Sequence, residues 1–323
     1  MRWWLAGLLG SVGILVAAFF LSPWPSVYVI RFIFDKGAAA AAAKLEKHVP
    51  PTVGVTTVRY DPGDKDAILD VYRSPQPKPY APAVIWVHGG GFVSGRRADI
   101  ENYLKILAGY GFTVVNVDYT IAPEAAYPTP IRQLSKALTF LAQNGPRLGV
   151  DPDRIVLAGD SAGAQIAAQT AAIITNPDYA RRVGVSPEGG SFKLAGAILF
   201  CGVYDITGMG SQGGILGWFV QSTTWAYSGK RDWRKASGFE TMSVAPNVTG
   251  AFPPTFVSVG NADPLAPQSF AMATALKASG VKVSELFFPP DYRPGLGHEY
   301  QFDLDTDAGK RALSHVVEWL GKL

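Results

Sequence analysis

The sequence predicts an α/β architecture, an eight-stranded and mostly parallel sheet flanked by helices on both faces. Three observations carry this. After about residue 48, β-rich runs alternate with runs of helical period, the pattern of strands joined by crossover helices. The 323 residues are 48% hydrophobic, enough for one large core, and α/β domains of this length commonly stay undivided. The 35 Gly and 24 Pro are spread along the chain as turn punctuation, which excludes a fibrous or disordered protein.

Taken in order, strands are predicted at residues 53–60, 68–72, 83–88, 113–118, 155–158, 194–200, 254–259 and 283–288. Each is a short run rich in β-branched or aromatic residues and bounded by turn formers. Helices are predicted at 100–108, 131–144, 162–175, 269–279 and 308–320, where apolar residues recur at helical spacing. Residues 204–248, rich in Gly, Trp and Ser, break the alternation and read as an inserted helical or loop excursion, a cap segment of the domain.

Residues 1–22 read as a membrane anchor. From Trp3 to Leu21 no residue is charged, and a helix of about 1.5 Å per residue over that stretch nearly matches a hydrocarbon core of about 30 Å. Trp3, Trp4 and Trp24 would sit at the two interfaces. A cleaved signal peptide fits less well, since Ser22-Pro23-Trp24-Pro25 makes a poor cleavage site. Arg31, Lys36 and Lys44 after the span outnumber Arg2 before it, which leans towards a cytoplasmic catalytic domain. Residues 23–47, apolar and then alanine-rich, form a membrane-proximal helical arm, and residues 48–323 form the α/β domain.

The 29 Lys and Arg against 26 Asp and Glu are scattered apart from a short group at residues 230–235. No stripe of basic residues tracks a phosphate backbone, so nucleic acid is excluded as a partner. The single cysteine, Cys201, excludes an internal disulfide and a multi-cysteine metal centre. It lies in an apolar run and reads as a buried, inert thiol.

Chemistry enters with Gly159-Asp160-Ser161-Ala162-Gly163. The pentapeptide follows an apolar strand and opens an alanine-rich helix, a turn that forces the serine into a strained backbone and exposes its hydroxyl above the sheet edge. The helix start also points backbone N–H groups at developing negative charge.

A serine nucleophile needs a base, and the chain has four histidines. His48 lies in the linker, His315 lies mid-helix, and His88 opens His88-Gly89-Gly90-Gly91, a segment suited to binding an oxyanion. His298, in the loop after the last strand, remains. Where the nucleophile sits on such an elbow, the acid lies between serine and histidine in the chain. Asp263, directly after the strand at 254–259, fits best, with Asp205 and Asp291 as alternatives. The N–H groups of Gly89, Gly90 and Ala162 are the expected oxyanion donors.

Together His88-Gly89-Gly90-Gly91, Val117-Asp118-Tyr119-Thr120-Ile121-Ala122-Pro123-Glu124, Gly159-Asp160-Ser161-Ala162-Gly163, Asp263-Pro264-Leu265 and His298 make the chain resemble the hormone-sensitive-lipase family of α/β-hydrolases. The resemblance covers roughly residues 55–320. It implies a serine esterase acting on short- to medium-chain carboxylic esters without metal or cofactor. An aryl-amide deacylase, an acyltransferase or a membrane-tethered binding module are the alternatives on the same fold. Phe92, Trp218, Phe219 and Trp225 are candidates for an apolar substrate pocket. The chain departs from the family in Ala164, Thr120 and Glu299-Tyr300, where the family often has Gly, Arg and Gly-Phe.

Overall fold

All eight predicted strands form, in a single sheet. The computed structural model describes residues 17–186, 192–209 and 213–323. Strands β1 (Gly54–Arg59), β2 (Ile68–Arg73), β3 (Ala83–Val87), β4 (Val114–Val117), β5 (Ile155–Asp160), β6 (Leu194–Phe200), β7 (Thr255–Val259) and β8 (Val283–Phe287) lie in the order β1-β2-β4-β3-β5-β6-β7-β8. β1 pairs antiparallel with β2 and β2 with β4, and every later pairing is parallel. Every residue of β3, β4, β5 and β7 is buried, as expected of strands with helices on both faces. β1 is an exposed edge.

Strand periodicity divides the core in two. Ile85, Leu157 and Leu199 face one apolar layer, under α3 (Thr129–Leu148) and α4 (Ser161–Thr175). Val84, Trp86, Ala158 and Phe200 face the other, under α2 (Arg97–Gly109) and α8 (Asp307–Leu320). Successive side chains of a strand point to opposite faces, so both layers come from the same residues' alternation. α7 (Ala266–Ala278) follows β7.

The amino-terminal arm is one helix, α1 (Trp24–Glu46), with prolines 23 and 25 at its start, where a missing N–H costs nothing. The structure packs it onto the domain: Val27 and Ile30 are buried in the α3–α4 layer and Leu45 in the other. Arg31 holds it there, donating to Val93 O (2.6 Å), Ala122 O (3.0 Å) and both Glu124 oxygens (2.8 and 2.6 Å).

The excursion at 204–248 holds α6 (Gly214–Ser228) and several short 3₁₀ turns. α6 lies against α1, where Trp218 Nε1 donates to Ser26 Oγ (3.2 Å) and Phe219 meets Phe34 at 5.6 Å between ring centroids. A short helix that the sequence reading passed over, α5 (Pro177–Val183), follows α4. Most of the expected membrane span, residues 1–16, lies outside the described residues. Among the described residues no helix is long and apolar enough to cross a membrane.

Candidate active site

β5 runs into α4 without an intervening loop. Asp160 is extended and Ser161, the first helical residue, has φ +50°, a left-handed conformation that costs energy for any residue with a Cβ. The turn is possible because its flanks are glycines. A side chain on Gly163 would collide with Val87 O and His88 O, and one on Gly159 with the Gly163 backbone. Absence of those atoms lets α4 start directly beneath the end of β3.

Two later loops bring partners to Ser161. A side chain on Gly260 would strike Leu296 O, so the loops after β7 and β8 pack backbone to backbone. Asn261 clamps them: Oδ1 accepts from Leu296 N–H (2.8 Å) and Nδ2 donates to Tyr292 O (3.1 Å). His298 Nε2 then lies 3.0 Å from Ser161 Oγ, and its Nδ1 lies 2.7 Å from Asp263 Oδ2. The Asp263 side chain is wholly buried, and its Oδ1 accepts from Leu265 N–H (2.8 Å). A hydroxyl, an imidazole and a carboxylate in this chain can pass a proton from serine to histidine while the carboxylate fixes the tautomer.

The glycine loop after β3 differs from expectation in one residue. Gly89 N–H donates to Asp160 Oδ2 (2.8 Å), and Trp86 Nε1 donates to the other oxygen (2.8 Å). Gly89 is therefore committed to the Asp160 carboxyl and is not free for an oxyanion, which corrects its assignment as a donor. Gly90 and Gly91 have φ of +116° and +60°, and their N–H groups bond to nothing among the described residues. Ala162 N–H lies in the first turn of α4, where helices leave donors unpaired.

Charge around the site was missed by the sequence reading. Glu299, in a left-handed conformation (φ +59°), places Oε1 3.7 Å from His298 Nε2 and 3.0 Å from where a Cβ on Gly89 would stand. Burial, and then the neighbouring Glu299 carboxylate, raise the Asp160 carboxyl to about 8. Burial favours neutral His298, but the Asp263 and Glu299 carboxylates work against it, and the imidazole is held above its ordinary range. Cys201 is buried as expected, and that burial pushes its thiol up. The one signal in sequence for Glu299 was its place where the resembled family carries glycine.

The other histidines and acids have separate occupations. His88 is buried, stacks on Tyr119 at 4.4 Å and approaches Asp118 Oδ1 at 3.2 Å. His48 pairs with Asp305. Asp205 accepts from Thr207 N–H and Ser243 Oγ, and Asp291 is exposed.

Of the pocket candidates, Phe219 meets the site: a Cβ on Gly91 would touch its Cζ at 2.9 Å and Thr223 Cγ2 at 3.5 Å. Trp218 is taken up by α1. Phe92 stacks flat on Tyr227 at 4.4 Å in the core, and Trp225 lies beneath Arg231. Phe92 is therefore a core packing residue.

The family description "alpha/beta hydrolase fold" matches residues 84–292, from the strand before the glycine loop to beyond Asp263. The chain belongs to the α/β-hydrolase family. This α/β-hydrolase is 29% identical over 273 residues to esterase LipQ of Mycobacterium tuberculosis, covering 82% of this chain and 61% of LipQ, so it spans about three-fifths of that curated relative. Among solved structures it resembles esterase B from Lactobacillus rhamnosis, with a TM-score of 0.78 at 24% identity over 93% of this chain and 96% of the other. Esterase B has also been solved inhibited with a C4-C4 SN3 tributyrin phosphonate. An esterase from Pyrobaculum calidifontis gives a TM-score of 0.72 at 25% identity, over 93% and 94% of the two chains. These relatives agree with the resemblance to the hormone-sensitive-lipase group read from the motifs.

Proposed function

We propose that this α/β-hydrolase is a serine carboxylesterase that cleaves short- to medium-chain carboxylic esters through an acyl-enzyme on Ser161. The observation that carries the proposal is the unbroken hydrogen-bonded chain from Ser161 Oγ through His298 to buried Asp263. Esterase names among the relatives support it.

In the proposed reaction His298 Nε2 takes the Ser161 proton as Oγ bonds to the ester carbonyl carbon. The carbonyl oxygen becomes an oxyanion held by the N–H groups of Gly90, Gly91 and Ala162, Gly91 replacing the committed Gly89. The intermediate collapses by breaking the bond to the alcohol oxygen, which leaves with the proton from His298. Water then attacks the acyl-enzyme, losing its proton to His298, and the acid departs as Ser161 regains its proton. Phe219 beside Gly91 is the wall against which an acyl group would lie. We further place the enzyme at a membrane, tethered by residues 1–22.

Replacing Ser161 by Ala lowers hydrolysis of p-nitrophenyl butyrate by at least about 10⁴-fold. Unchanged turnover overturns the assignment. A fluorophosphonate probe labels the native protein at Ser161, and a protein that resists labelling is a binding module instead.

A further inference from the structure

Helix α1 is apolar on both sides, and one side is left open. Towards the domain it presents Val27, Ile30 and Phe34. Away from it Tyr28, Val29, Phe32 and Ile33 are 41–61% exposed, and Ile215, one turn before Trp218 and Phe219 on α6, is 85% exposed. A helix that is hydrophobic all round ordinarily has both faces covered, and an exposed apolar patch marks an interaction surface.

Two features say what covers it. The chain entering α1 is the uncharged run of residues 3–21, and the last of it, Phe19, Phe20 and Leu21, is exposed. Only Ser22 and Pro23 separate that run from α1, a reach of about 7 Å, so a tether in lipid delivers α1 to the bilayer surface.

The second feature is charge. Arg231 sits over Phe20 at 5.5 Å and over Trp225 at 5.6 Å, and it donates to Phe20 O (3.2 Å). It belongs to a shallow hollow lined by Lys230, Arg234 and Lys235, with Asp232 the acidic member. Further along α1, Lys36 lies over Phe32 at 4.3 Å. An apolar face bordered by cations fits acyl chains below and anionic headgroups around it.

We propose that the outer face of α1, with Ile215 and the basic loop at 230–235, is an interfacial surface that seats the enzyme on an anionic bilayer. It deepens the tether proposed above by naming the second contact. Phe34, on the inner side of the same helix, touches Phe219, which touches the Gly91 loop. Esters dissolved in the bilayer thereby meet the site through the element that rests on the lipid.

The test uses the full chain in vesicles and spin labels at Phe32→Cys, Ile215→Cys and, as control, Tyr80→Cys. Tyr80 is 88% exposed in the loop before β3, at the sheet edge opposite Ser161. Buried Cys201 stays unlabelled. In phosphatidylcholine vesicles containing phosphatidylglycerol, labels at 32 and 215 lose access to a water-soluble nickel reagent and gain access to oxygen, while the label at 80 stays in water. Removing Lys230 or Arg234 as Ala weakens the protection by about fivefold each.

Nickel access at 32 and 215 equal to that at 80 overturns the proposal. Protection accompanied by spin–spin broadening overturns it in favour of a second copy on this face. Equal protection in pure phosphatidylcholine overturns the part given to the basic loop. Turnover of dissolved p-nitrophenyl butyrate by the same labelled proteins reads the esterase proposal separately, since that substrate needs no bilayer.

Discussion

Replacing Glu299 by Gln tests the electrostatics of the site at nearly constant shape. His298 must be neutral to accept the Ser161 proton, so the acid limb of the kcat/KM profile follows the imidazole pKa. A carboxylate beside the ring favours the imidazolium and raises that pKa. Removing the charge lowers it, and the limb moves to lower pH. Unit charges at 3.7 Å interact by about 1 kcal/mol in bulk water and about 4 kcal/mol at an effective dielectric near 20. His298 and Glu299 side chains are 36% and 35% exposed, so the water end of that range governs. One pKa unit is about 1.4 kcal/mol, which sets a shift of about 0.8 units. Asp160 acts against it: without Glu299 beside it, its carboxyl falls from about 8 and adds new negative charge, partly neutralised by the Trp86 and Gly89 donors. The expected result is a downward move of the acid limb by about half a unit to 0.8 units. It is read from initial rates on a soluble ester between about pH 5 and pH 9. A limb that stays in place or moves upward refutes the argument.

Asp263→Asn keeps the shape of the buried side chain but leaves His298 Nδ1 without its anionic acceptor, and kcat is expected to fall by about 10⁴-fold with KM little changed; a loss under about tenfold returns the acid to another residue. Gly163→Ala puts a methyl group into two backbone carbonyls that cannot swing aside, at a cost of about 3 kcal/mol in chemical denaturation. Gly37→Ala, in an open stretch of α1 with nothing within 4 Å, stabilises by about 0.5 to 1 kcal/mol under the same conditions. Equal effects at the two glycines refute the close approach assigned to Gly163.

Much of the site was legible because its parts are local or scarce. The Ser161 turn is written in five adjacent residues between an apolar strand and an alanine-rich helix. With four histidines in the chain, elimination reached His298, and strand order reached Asp263. The sheet was legible because strands buried on both faces read as short continuous runs of β-branched and aromatic residues bounded by turn formers. The helical arm was legible as a segment, since apolar and alanine-rich residues favour helix wherever they lie, but its partners were not.

What the sequence determined by itself, then, is the set of elements and the residues proposed as nucleophile, base and acid, because periodicity and turn chemistry act between near neighbours. Only the tertiary structure decided which groups are free to act. Gly89 and Asp160 are 71 residues apart, and one N–H cannot serve both a buried carboxyl and an oxyanion. Phe92 and Trp225 have rings claimed by Tyr227 and Arg231, while Phe219 reaches the glycine loop. Glu299, next to His298 in the chain, becomes an electrostatic neighbour of distant Asp160 only through the fold. Such competition for a single hydrogen atom or a single ring face is settled by contacts between distant segments, and no local pattern carries it.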